Sequence, residues 1–482
     1  MKTIGSNPDK TRQTQVVASG ALPNGKPVIM NADGTVSVAG PVSISQVIGT
    51  PVVYRSDIAV DQSAAYDSNA QKVVVAYKDT GNSNYGTVAV GTVSGSSISF
   101  GTPVVFESAA TQNISTVYDA NAQKVVICYH DDGNSSYGTA IVGTVSGTSI
   151  SFGTPVLFYS GVASTIMTAY DSNAQKIVVA YRDHDNGSYG RAKVGTVSGT
   201  SISFGSHTEF TSSSVSQITL GYDSSAQKIV LAYRQSGVSG GAKVGTVSGT
   251  SISFGSVTTF SSEGVTHLNS VVYDSNAQKV VIAYQEENQG LAVVGTVSGT
   301  SISFGTPVVF STGTVQYITS TYHSDAKKVV MAYNDGGNSN AGTVIVGTVS
   351  GTSISFSSSA VFETGATIYI SPVYDSNANK VVIAYSDMGS SYNFYGTAVV
   401  FQPAYTSLNL TSENYIGLAA SGVPDGKAAR INIKGAVDDN QSGLTAGQSY
   451  YVQTDGTLGT TPADPSVFAG TAVSANKLIV KG

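Results

Sequence analysis

Between residues 43 and 401 the apolar positions fall into short runs that return at a near-constant interval. One copy reads "ISTVYD", "KVVICYHD", "YGTAIVGTV" and "SISFGTPVLF", four runs of strand length separated by links rich in turn formers. The link "DANAQK" carries Asp and Asn, whose side chains bond back to their own backbone, and "VSGTSI" places Gly where a tight hairpin wants positive φ. Four such strands predict one antiparallel meander. The second run is apolar at consecutive positions, as in "KVVVAY" at residues 72–77, so both of its faces must be buried. A sheet packed between two other sheets meets that demand, and the small Ala at 76, 180, 232, 283, 332 and 384 permits close approach. Cys128 fills the same slot and reads as a small buried hydrophobe, neither nucleophile nor ligand. The Tyr ladder 77, 129, 181, 233, 284, 333 and 385 occupies one position per copy and reads as packing.

The pair Tyr-Asp anchors the repeat at Tyr66, Tyr118, Tyr170, Tyr222, Tyr273 and Tyr374, with Tyr322-His323 in the remaining slot. The spacings of 52, 52, 52, 51, 49 and 52 residues match four-stranded propeller blades. The last copy stops after its third strand, "YGTAVVF" at 395–401, and the missing fourth strand stands at the other end as "SISQVIGTPVVY" at 43–54. These observations predict an all-β chain with a seven-bladed β-propeller at residues 42–402. Pairing of 43–54 with 395–401 closes the ring and leaves no open edge.

Closure brings the two flanks, residues 1–41 and 403–482, together. They also resemble each other: "ASGALPNGK" (18–26) is similar to "ASGVPDGK" (420–427), and "NADGTVSV" (31–38) to "QTDGTLGT" (453–460). Asp-Gly between short strand-like runs is a hairpin signal, so the flanks predict one small β-barrel or sandwich into which the propeller is inserted. The segment "GLTAGQSYYVQTDGTLGTTPADPSVFAGTAVSANKLIVKG" resembles the C-terminal module of structural proteins of tailed bacteriophages, particularly marine ones, and "SGALPNGKPVIMNADGTVSV" resembles its N-terminal partner. The "YDSNAQKVVVAY…GTVSGTSISF" repeats are similar to repeats of the same group. The resemblance covers about 120 residues in the flanks and implies a virion component, a capsid decoration or a tail fibre or spike. It maps no functional residue onto this chain. It further implies other virion proteins as partners, an oligomeric state on the particle, and a virion-surface location after synthesis in the host cytoplasm.

Composition narrows the classes. A net charge of -6 with no block of Lys or Arg gives no footprint for gripping phosphate backbones, so nucleic acid is not an expected partner. No stretch approaches the roughly 20 apolar residues of a membrane helix, and the opening "MKTIGSNPDKTRQTQ" lacks the apolar core of a signal peptide. Membrane insertion is therefore not expected. The single cysteine excludes an intrachain disulfide framework.

In an antiparallel blade the "DSNAQK" and "VSGTSI" links share one end of the ring and hardly vary. The links between strands two and three, and those between blades, share the other end and do vary. Loops on a rigid scaffold are where binding usually sits, so that end is the expected binding face. Its candidate ligand-binding residues are Tyr85, Tyr137, Tyr189, Tyr392 and Tyr395, with Asp131, Asp132, Asp183 and Asp185 as acceptors for sugar hydroxyls. The same tyrosines would also serve as caps on blade edges. "DHDNG" at 183–187 faintly resembles a calcium loop but lacks the further oxygens and the bidentate acid, and the five histidines never pair at zinc spacing. No cofactor or metal is expected, calcium being a weak possibility. Propeller glycosidases use paired carboxylates about 5–10 Å apart. Glu286 and Glu287 are adjacent, so their side chains are expected to diverge rather than flank one bond, the ring carries just Arg55, Arg182, Arg191 and Arg234, and the chain has no Trp. The reading is a non-catalytic virion surface protein whose small β domain docks on the particle and whose propeller faces outward for adhesion to host glycans or for decoration. The alternatives are a glycan-binding lectin and a glycosidase.

Overall fold

The recurring Tyr-Asp pair is explained by the turn it precedes. In the computed structural model, which describes residues 12–235, 239–262, 264–389 and 393–481, the aspartate of each pair is buried and caps its own hairpin. Asp67 Oδ1 accepts the N–H groups of Asn69 (3.0 Å) and Ala70 (2.8 Å), and Asp119, Asp171, Asp223, Asp274 and Asp375 repeat the arrangement. The tyrosine reaches sideways. The hydroxyl of Tyr118 accepts from Asn69 N–H of the preceding repeat, and those of Tyr170, Tyr222, Tyr322 and Tyr66 accept likewise from Asn121, Asn173, Asn276 and Asn377. One dipeptide thus closes a turn and ties neighbouring repeats together.

Each repeat forms an antiparallel four-stranded sheet, numbered here 1 to 7 by its second strand: Lys72–Asp79, Lys124–Asp131, Lys176–Asp183, Lys228–Arg234, Lys279–Glu286, Lys328–Asp335 and Lys380–Asp387. The first strands lie innermost, and each touches the first strands of the sheets on both sides, sheet 7 touching sheet 1, so the sheets form a closed ring. The fold is a β-propeller. The second strands pack on both faces as their consecutive apolar positions require. Val73 and Val75 enter the core shared with sheet 7, while Val74 and Ala76 enter the core shared with sheet 2. Cys128 is fully buried in the core between sheets 2 and 3, and burial pushes its thiol pKa far up. Tyr129 lies edge-on to Phe106 at 5.2 Å, one member of a Tyr–Phe contact repeated around the ring. Such pairs add about 0.5–1.5 kcal/mol each beyond area burial.

The outer strand differs from expectation. It comes in two pieces: "SISF" turns back on the third strand through a two-residue hairpin with Gly at its first position (φ about 60°), and a second piece then pairs with the beginning of that third strand. In several repeats this second piece runs on without a loop into the first strand of the next sheet, as in Val104–Asp119 and Val156–Asp171. The segments "ESAATQN" and "YSGVAST" are therefore strand, whereas the crossing into sheet 5 is divided between Thr258–Ser261 and Val265–Asp274.

The ring closes by pairing the two ends of the propeller: Val52, Val53, Arg55 and Ile58 stand opposite Ala398, Thr397, Gly396 and Tyr395, and Val47 and Ile48 opposite Gln402 and Phe401. The seam begins later than the sequence indicated, because residues 41–44 pair with 405–408 in the flanking unit. The compact units are accordingly Gln46–Pro403 and Met1–Ser45 with Ala404–Gly482. In the second unit, strands from both flanks interleave. One sheet has the order Gln13–Val17, Ala428–Asn432, Tyr415–Ala419, Pro27–Met30, Val36–Val38, and the other is drawn wholly from 437–480. Shared apolar clusters, such as Ile29 and Tyr415 with Val452 and Val467, or Leu418 with Tyr450 and Leu478, make it a sandwich. Two of its Asp-Gly turns are alike: Asp33 Oδ1 accepts from Thr35 N–H, and Asp455 Oδ1 from Thr457 N–H.

Candidate functional site

At the end of the ring that carries the second-to-third strand hairpins, Tyr85, Tyr137, Tyr189 and Tyr395 each open a third strand, directly opposite the Asp that ends the second. All four are half-buried. They belong to sheets 1, 2, 3 and 7, which are consecutive around the ring, so they line one arc of it. The corresponding slots in sheets 5 and 6 hold Gln289 and Ala341. Tyr392 lies outside the described residues.

The four carboxylates named with them separate into two kinds. Asp132 and Asp185 are exposed on this arc. Asp132 accepts from His130 Nε2 (2.8 Å) and Gln112 Nε2 (2.8 Å), and Asp185 accepts from Val162 N–H (3.0 Å). Asp131 and Asp183 are buried and not free to meet a ligand. Burial raises the Asp131 carboxyl above its ordinary range, and Asp183 is paired with Arg191 (2.5 Å) and accepts from Tyr159 Oη (2.6 Å). That is a correction to the sequence reading, and its cause is the alternation of the strand: the Asp at the end of the second strand points into the sheet interface, not out of the hairpin. With Asp183 committed to Arg191, the "DHDNG" turn keeps Asp185 as its solvent-facing carboxylate.

The same end holds polar contacts between sheets whose chemistry is not the same at every interface. Arg55 Nε donates to Asp79 (3.0 Å) between sheets 7 and 1, Tyr129 Oη to Glu107 (3.0 Å) between 1 and 2, and Tyr385 Oη to Glu363 (3.1 Å) between 6 and 7. Glu286 accepts from Ser261, while the adjacent Glu287 has a left-handed backbone (φ 52°). Burial raises Asp79, Glu107 and Asp387, the Arg55 guanidinium pulling Asp79 back. A raised carboxyl is also what a general acid shows, but here Asp79 and Glu107 bond a neighbouring sheet and Asp387 accepts from Gly389 N–H in its own hairpin. The hairpins vary less in shape than in sequence: in sheets 1, 2 and 6 a 3-10 turn is followed by two left-handed residues, Ser83-Asn84, Ser135-Ser136 and Ser339-Asn340.

One set of residues at this end escaped the sequence reading. In five sheets the first strand carries a β-bulge, where Asp61, Asn113, Thr165, Tyr317 and Tyr369 adopt left-handed φ of 49–54°. That region is costly for any residue but Gly, and most of all for β-branched or bulky ones. These residues surround an axial cavity of about 310 Å3. The signal was present in the repeat: five residues before these Tyr-Asp or Tyr-His pairs the slot reads Asp, Asn, Thr, Tyr and Tyr, while the position after it is Ile in four of the five copies.

No family model matches this sequence, and no curated protein matches it. Among solved structures, the BP39L lectin from Burkholderia pseudomallei is similar over 71% of this chain and 99% of its own, at 8% identity and a TM-score of 0.50. A protein of unknown function from Dyadobacter fermentans is similar over 76% of this chain and 99% of its own (10% identity, TM-score 0.46). The NanB sialidase from Streptococcus pneumoniae, as a point mutant, is similar over 74% of this chain and 68% of its own (8% identity, TM-score 0.42). At such identities the likeness to the lectin is one of fold, and the fold it shares with this chain is the β-propeller.

Proposed function

We propose that this chain is a non-catalytic surface protein of a tailed-phage particle, in which the flanking sandwich docks on the virion and the propeller presents its variable end to an extended host-surface glycan. The observation that carries the binding part is the arc of Tyr85, Tyr137, Tyr189 and Tyr395 on four consecutive sheets, with Asp132 and Asp185 exposed among them. Aromatic faces spaced from sheet to sheet suit successive rings of a polymer, and exposed carboxylates accept its hydroxyls. The virion setting rests on the resemblance of the two flanks to phage structural modules. The non-catalytic reading is supported by the engagement of carboxylates in contacts between sheets, the buried Asp79 and Asp183 and the half-buried Glu107 and Glu363.

A glycan array probed with the full chain tests the reading. Binding to at least one polysaccharide is expected, weakened about 10-fold or more by Tyr85→Ala with Tyr137→Ala, as for loss of aromatic anchors. Absence of binding would leave the arc as blade-edge packing, and release of sugar would overturn the non-catalytic reading. A free glycan-binding lectin is the second reading, favoured by the same arc. Cryo-EM of particles carrying the protein separates the two, since a lectin unconnected with the virion has no density there.

A further inference from the structure

The axial cavity is distinct from the tyrosine arc and has its own chemistry. Its floor is apolar, built from Ile114, Ile166, Ile218 and Ile370, all buried, with Met167 beside them. At its bulged rim stand Asp61 and the rings of Tyr317 and Tyr369, whose centroids lie 5.3 Å apart at an interplanar angle of 56°. The volume of about 310 Å3 lies at the small end of the range for small-molecule sites.

Asp61 is the unusual member. Its backbone is left-handed (φ 54°), and among the described residues no Lys, Arg or His lies within 4 Å of its carboxylate. The N–H of Asn113 donates to it, and Lys78, on the neighbouring strand, pulls its pKa down while burial pushes it up more strongly. Asp61 is half-buried; a carboxylate so placed without a cation in contact is costly, and strained backbone that persists marks a place where the surrounding structure enforces it. A cation in the cavity would relieve the first cost. A metal ion is a poor fit, since it needs several oxygen ligands and no cluster of three or more ligating acidic, His or Cys side chains exists among the described residues. A sugar is a poor fit too, because the hydroxyls of Ser63, Ser115, Thr319 and Ser371 that also line the cavity are engaged in bonds between neighbouring first strands, and the isoleucines offer no partner. An ammonium carrying methyl groups fits each wall: methyls on the isoleucines, charge toward Asp61, and the tilted tyrosine pair supplying ring faces to the cation.

We propose that the axial cavity binds a methylated organic ammonium group, with Asp61 as its counter-ion and Tyr317 and Tyr369 as its aromatic walls. The site is independent of the glycan reading, because it shares no residue with the arc.

Calorimetric titration of the full chain with choline and with tetramethylammonium, at fixed ionic strength, tests it. Saturable one-site binding is expected, with 3,3-dimethylbutan-1-ol, the neutral isostere of choline, at least about 10-fold weaker. Asp61→Asn, which keeps the shape, should weaken choline about 10-fold, as should Tyr369→Ala, while Tyr369→Phe retains binding because the ring face and not the hydroxyl meets the cation. Melting temperatures of the variants, taken without ligand, show that the ring is intact. No saturation by tens of millimolar choline, equal affinity for the neutral isostere, or unchanged binding by Asp61→Asn would each overturn the proposal. Failure of the glycan array would leave it standing.

Discussion

A Cβ on Gly153 would lie 1.8 Å from the carbonyl oxygen of Thr200, in the hairpin turn of the next sheet. Gly49, Gly101, Gly205, Gly255 and Gly305 meet the neighbouring turn in the same way, at 1.9–2.0 Å. The residue at this slot in sheet 6 is Ser357, with the same backbone bond that Gly101 makes, Ser357 N–H to Val346 O against Gly101 N–H to Val90 O. The exception has a physical reason: the next sheet is sheet 7, whose outer strand comes from the other end of the propeller, so it has no third-to-fourth hairpin to approach. Gly153→Ala is therefore expected to destabilise by about 1–3 kcal/mol, the range for forcing atoms into a packed site, while Ser357→Gly stays within about 0.5 kcal/mol. Denaturant unfolding of the two variants checks this, and equal losses would show that the turn-to-glycine approach does not constrain the ring. The glycine was legible as a repeated letter, but its reason was not, since the partner lies one whole repeat away.

At the scale of the element, the Tyr-Asp hairpin is the unit that both turns the chain and joins the sheets, and sheet 6 carries its one chemical variant. There His323 replaces the aspartate, fully buried, and its Nδ1 accepts the N–H of Ala326 (3.2 Å), which requires an unprotonated nitrogen. Burial lowers the His323 pKa in the folded chain. A depressed histidine binds its proton more weakly folded than unfolded, so its contribution to stability is present above the unfolded value, near pH 6.5, and is lost as pH falls through the folded one. Thermal melts at pH 8 and pH 5 should show a smaller acid loss for His323→Asp than for the parent chain, since the aspartate restores the cap of the other six hairpins. An equal acid loss would assign the sensitivity to other groups, His184, His207 and His267 being lowered as well. The existence and order of these elements could be read from periodicity alone, because each strand's burial pattern is local. The division of the outer strand, and its continuation into the next sheet, could not: both depend on where the neighbouring third strand ends.

At the scale of the whole molecule, the seven apolar clusters of the propeller each join two adjacent sheets, and three further clusters belong wholly to the flanking sandwich. Each unit thus has apolar clusters of its own. Scanning calorimetry is therefore expected to resolve two transitions. Leu418→Ala, at a fully buried site in the sandwich, should cost about 2–5 kcal/mol and move one transition while leaving the other in place. A single transition that shifts as one would mean that the units unfold together.

The sequence by itself determined the all-β class, the ring of repeats, the pairing of its two ends and the assembly of a second unit from both flanks, because each follows from alternation, turn chemistry and counting of copies. Tertiary structure decided which polar residues remain available. Asp131 and Asp183, which read as hydroxyl acceptors beside Asp132 and Asp185, are turned into sheet interfaces by the two-residue alternation of the strand that ends on them. Asp61 meets Tyr317 and Tyr369, which lie more than 250 residues later in the chain, at the axis because a bulge in each of their first strands turns the same slot inward. Local pattern fixes which residues are strands, whereas the convergence of side chains on a site depends on the closure of the ring.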